Sequence, residues 1–158
     1  MRIGELMASE AQRVVKGAQV QTDPPLACYA RQAKFPVTSA LMWTIILGSP
    51  LKYPHNDDKS ITTRMNLVNI GNSQIITIPG EALPNIGYYI KRHMKGENNM
   101  LFGLTNDGYG YILTKEDFNS FKRYAYVTRT SLGERTGEIL EEEALRMIEE
   151  CSEPQKGK

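Results

Sequence analysis

A chain of 158 residues, 41% apolar and 23% charged, has the size and composition of one globular domain with a core that needs no disulfide or metal staple. The net charge of +1 comes with no basic stripe or acidic tail, which argues against nucleic acid as a partner. No apolar run approaches the ~20 residues of a transmembrane helix. Cys28 and Cys151 lack metal-type spacing and are expected as reduced thiols of a cytoplasmic protein.

Met1 to Ala11 has no signal-peptide core. Ile3, Leu6, Met7, Ala11, Val14 and Ala18 recur at helical spacing among charged residues, which predicts an amphipathic helix ending near Gly17. Asp23-Pro24-Pro25 breaks the chain, and residues 26–35 alternate as a strand, with Leu26, Cys28 and Ala30 on one face and Tyr29 and Arg31 on the other. Thr38 or Ser39 caps a short apolar helix through Gly48, expected to be buried. Residues 49–60 form a polar loop. Ile61–Ile70 and Gln74–Ile78, joined by Gly71-Asn72, read as an antiparallel hairpin.

Pro84 opens the next helix, with Leu83, Ile86, Ile90 and Met94 as its apolar stripe and Gly96 beyond its end. Residues 99–105 form a further strand, completing a βαβ unit with parallel strands and a right-handed crossover. A final helix covers 134–150, its Glu141-Glu142-Glu143 run read as a solvated face. The expected fold is therefore α/β: a mixed sheet with a hairpin, a βαβ unit in the C-terminal half and flanking helices. Residues 1–150 form a single domain and 151–158 a disordered tail.

Two strand ends stand out. Ile75-Ile76-Thr77-Ile78-Pro79-Gly80-Glu81 and Asn106-Asp107-Gly108-Tyr109-Gly110-Tyr111 each pass through a glycine turn to a polar side chain. In open α/β sheets, ligands bind outside the carboxyl ends of strands. Glu81 is thus a candidate functional carboxylate, although it could equally cap the following helix and complement its dipole. Of the alternating Tyr109 and Tyr111, one should face the cleft and the other the core. His55 and His93 belong to no zinc-binding pattern, and there is no Gly-x-Ser-x-Gly, Walker or Rossmann motif.

Ile78-Pro79-Gly80-Glu81, followed after a helix and a strand by Asn106-Asp107-Gly108-Tyr109-Gly110-Tyr111-Ile112-Leu113-Thr114 and Glu116-Asp117-Phe118, resembles the C-terminal part of the neutral/alkaline ceramidase family. The Asp23-Pro24-Pro25-Leu26 strand entry and the Ile61–Ile78 hairpin resemble its prokaryotic branch. The resemblance implies a zinc amidohydrolase acting on linear N-acyl amides. Glu81 and Tyr111 fall on two metal ligands, with Gly80, Asn106 and Gly108 in the supporting turns. The family's two histidine ligands and active-site serine have no counterpart here, so the chain alone is expected to be inactive. One implied reading is half of a zinc site, completed by a separately encoded N-terminal polypeptide. The alternative is a non-catalytic relic or interaction domain that self-associates as a homo-oligomer.

Overall fold

The computed structural model describes residues 2–157. Met1 and Lys158, at the outer ends of the expected signal-free start and C-terminal tail, lie outside the described residues. In chain order the elements are α1 (Arg2–Gly17), β1 (Leu26–Pro36), α2 (Ala40–Gly48), β2 (Ser60–Ile70), β3 (Ser73–Thr77), β4 (Glu81–Ala82), α3 (Pro84–His93), β5 (Asn98–Phe102), β6 (Tyr111–Ile112), α4 (Ala125–Arg129) and α5 (Thr136–Glu150). One mixed sheet has the order β1-β2-β3-β5; a second, two-stranded sheet joins β4 to β6. The α/β class, the hairpin and the βαβ unit expected from the sequence are all present.

The hairpin registers Leu67 against Ile76 and Ile70 against Ser73 around the Gly71-Asn72 turn. β3 and β5 run parallel with α3 between them in the chain. Alternation gives the large sheet two unlike faces. Ala33, Phe35, Ile61, Met65, Leu67 and Ile76 are buried on the inner face. They join one core with Ile86 and Ile90 of α3 and Leu140, Ala144, Met147 and Ile148 of α5. Each large apolar side chain so buried stabilises the fold by about 1.5–3 kcal/mol.

Polar groups inside this layer are paired, as burial demands. The fully buried Gln74 donates from Nε2 to Asn69 Oδ1 (3.0 Å) and accepts at Oε1 from the Lys95 amide (3.0 Å). Asn69 in turn donates to the Ser152 carbonyl (2.7 Å). These bonds tie the exit of α3 to β3 and the exit of α5 to the neighbouring β2.

Three local readings are refined by packing. The α2 helix starts at Ser39, whose hydroxyl accepts from the Met42 amide, but only Met42 and Ile46 are buried while Ile45 and Leu47 are exposed. Its apolar circumference exceeds the surface available to cover it. Glu143 is not merely solvated: it pairs with Arg31 (3.7 Å) and Arg146 (3.1 Å). The segment after α5 is hydrogen-bonded to the body through Asn69–Ser152 and through the Gly157 amide to Gln21 Oε1 (3.2 Å).

Candidate functional site at the β4–β6 rim

The chain leaves β3 at Thr77 and is steered by Pro79-Gly80 into β4. There the Glu81 amide donates to the Gly110 carbonyl (2.9 Å) and the Leu83 amide to the Ile112 carbonyl (3.0 Å). Glu81 and Tyr111 are thereby direct partners in a parallel register. The approach is close enough to demand glycine at 80, where a Cβ would stand 2.5 Å from the Gly110 oxygen. Gly110 itself has φ +80°, a conformation L side chains rarely adopt, and a Cβ there would strike the Thr130 carbonyl. The Tyr111 amide donates to that same carbonyl (3.1 Å), which fixes β6 from its other side.

Asn106, in the left-handed region at φ 73°, holds the intervening loop to the large sheet. Its Nδ2 donates to the Arg64 carbonyl (3.0 Å), Asn66 Oδ1 (3.0 Å) and Thr77 Oγ1 (3.3 Å). Asp107 accepts from the Thr63 hydroxyl. Gly108 lies in the same loop under less constraint: a methyl group on its Cα would meet the Leu104 side chain at 3.7 Å, an ordinary contact.

The two tyrosines of the loop part ways. Tyr109 is 4% exposed and packs its ring 5.5 Å from that of Tyr53. Burial first, then the charge of Asp107 and the Tyr53 hydroxyl, push its phenol up to about 12. Tyr111 is half-buried, its ring edge-on to Tyr126 at 5.8 Å. The negative charge of Glu81 is the main cause holding its phenol above the ordinary tyrosine range, with desolvation and Tyr126 acting the same way.

Glu81 does not cap α3. That helix begins at Pro84 with Leu83 at its N-cap, and no side chain bonds its first turn. The carboxylate instead borders an open groove of about 440 Å³, walled by Ile78, Leu83 and Leu101 and bounded on the α3 side by Tyr88 and Lys91. Tyr126 and Lys91 were not singled out from sequence. Tyr126 reaches the rim from α4, a helix of five residues that is too short to show a period, and Lys91 only gains meaning from the helix face it occupies.

The histidines lie elsewhere. His55 meets the Trp43 ring edge at 5.4 Å and contacts the Tyr53 carbonyl through Nδ1 (3.1 Å). His93 contacts the Tyr89 carbonyl through Nδ1 (2.9 Å). Among the described residues no cluster of three or more histidine, cysteine, aspartate or glutamate side chains is disposed to hold a metal ion. One carboxylate and one phenol are fewer donors than the three or four protein ligands zinc takes. The pair by itself therefore does not make up a zinc site.

No protein-family model matches the chain, and no curated protein matches it. Among solved structures, neutral ceramidase from Pseudomonas aeruginosa aligns with a TM-score of 0.46 at 16% identity, over 62% of this chain. The aligned part spans 17% of the ceramidase chain.

Proposed function

We propose that the β4–β6 rim contributes two oxygen ligands, Glu81 and Tyr111, to a zinc site of a ceramidase-like amidohydrolase. The remaining groups, two histidine ligands and a catalytic serine, would come from a separate N-terminal polypeptide. The observation that carries this reading is the parallel register of Glu81 with Tyr111, which sets a carboxylate beside a phenol whose ionisation that carboxylate opposes. A cation between them would reverse the sign of that interaction and favour the phenolate. Zinc, when bound, polarises an amide carbonyl and acidifies water. The residues of this chain would orient that ion through strands fixed by Gly80, Gly110 and Asn106. The groove beside Glu81 offers an apolar wall to a linear N-acyl chain. Without the added ligands the chain is inactive on amides.

The experiment is co-expression with the polypeptide encoded directly upstream, followed by zinc analysis and an N-acyl amide hydrolysis assay. Stoichiometric zinc in the complex, lost in Glu81→Gln and reduced in Tyr111→Phe, is the expected result. A soluble pair that binds no zinc rejects the proposal. The second reading, a non-catalytic self-associating domain, draws on the exposed apolar side chains Leu26 and Phe102 of the large sheet.

A further inference from the structure

The groove beside Glu81 carries opposite charges toward its two ends. Pro84, Gly87, Tyr88 and Lys91 line it and follow the i, i+3, i+4, i+7 spacing of a single helix face. Ile86 and Ile90, on the adjoining face of α3, are fully buried in the core and hold the groove-lining face in place. Glu81 stands before the first turn of α3 and Lys91 in its last. Along the helix axis Lys91 is about 10 Å beyond Pro84. Between the two charges the opposite wall is apolar, formed by Ile78 and Leu101.

Two features of α3 have no purpose within the fold. The first is the Lys91 charge. Its neighbours three and four positions away, Gly87, Tyr88, Met94 and Lys95, include no acid. Neither Lys91 nor Glu81 joins an ion pair among the described residues. Arg92 and His93 already place positive charge at the C-terminal end of the helix dipole. The second feature is Gly87. Glycine inside a helix is less favourable than alanine, yet packing does not require it here. A Cβ would meet only the Leu101 side chain, at an ordinary 3.7 Å. The missing side chain leaves the middle of the groove open between α3 and Leu101.

We propose that Lys91 sets the specificity of this groove, selecting linear acyl amides that carry a carboxylate at the end of the acyl chain remote from the amide. The identity of the amide end rests on the zinc reading of Glu81 and Tyr111. The polarity rests on the groove itself. A carboxylate beside Glu81 is repelled and one beside Lys91 is attracted, so the two charges fix which way the chain lies. A cationic terminus at Lys91 is repelled, and an uncharged one leaves the ammonium unpaired. With bonds of about 1.5 Å, an extended chain of about eight methylenes covers the length of the groove along α3.

The test uses the full chain without zinc or partner, titrated by amide NMR with two probes, the monoamide of decanedioic acid and uncharged decanamide. Both should shift the amides of Gly87, Lys91 and Gly103, and the anionic probe should bind about fivefold tighter at low salt, the range of one exposed ion pair. Lys91→Gln should equalise the two probes and Lys91→Arg should keep the preference. Gly87→Leu, checked for folding by circular dichroism, should fill the groove and remove binding of both. Absence of binding, equal binding by the native chain, a preference that survives Lys91→Gln, or shifts confined to another surface each overturn the inference. A preference found here beside a co-expressed complex that binds no zinc rejects the zinc reading alone. A zinc-binding complex whose chain shows no preference rejects this inference alone.

Discussion

The packed layer between the sheet's inner face and α3 and α5 differs from the β4–β6 rim in what holds it together. The layer is a continuous apolar cluster whose few polar groups, such as Gln74 and Asn69, are mutually bonded. The rim rests on two strands of two residues each, fixed by backbone bonds, two glycines and the Asn106 bridge. Stability is therefore concentrated in the layer, while the rim displays a carboxylate and a phenol that the core does not need. Substitutions in the two regions should differ in kind as well as size.

The largest effect is expected in the layer. Leu140→Ala removes a fully buried side chain and should cost about 2–5 kcal/mol in chemical denaturation while leaving Tyr111 titration unchanged. Next comes alkali. The Tyr109 phenol is raised from 10.0 to about 12 on folding, so the folded state resists its ionisation. The stability it contributes is complete below pH 10 and is lost as pH rises toward 12, by roughly 2–3 kcal/mol. Tyr109→Phe should abolish that alkaline loss in pH-dependent unfolding; an unchanged loss would assign it to another group.

Gly80→Ala should cost less, about 1–3 kcal/mol, because the rim gives way before the layer does. Its signature is spectroscopic: as β4 moves off Gly110, Glu81 retreats from Tyr111, and the Tyr111 phenol should titrate nearer the ordinary tyrosine value. Glu81→Gln should leave stability within about 0.5 kcal/mol, as an exposed substitution. Removing the negative charge lowers the Tyr111 pKa, which ultraviolet difference titration against a Tyr111→Phe control measures. A Tyr111 pKa that does not fall would separate the two side chains that the strand register brings together.

How far this division could be read from sequence depended on period. The hairpin and α3 announced themselves through alternation, the Gly71-Asn72 turn and Pro84, and the structure follows them within a few residues. The pairing of β4 with β6 has only two residues per strand, too short for any period, so the Glu81–Tyr111 adjacency was accessible only through strand-end placement and the family resemblance. Tyr126 arrives from α4, a helix of five residues too short to show a period, and left no trace. Periodicity showed that α1 and α2 have apolar faces but not whether anything lies opposite them. That is why α2 is half exposed and α1 uncovered. Burial is a property of the neighbour as much as of the helix.

Gln21 has one more consequence. Its side-chain oxygen accepts from both the Asn72 and Gly157 amides, so two residues 136 positions apart, Gln21 and Gly157, are held at a single point. From residue 21 to 157 the backbone is almost a closed ring. A peptide link across that point would close little additional loop entropy. The order in which the strands and helices are joined is then a matter of where the ring is cut, and a cut in the polar 49–59 loop would preserve every contact of the packed layer.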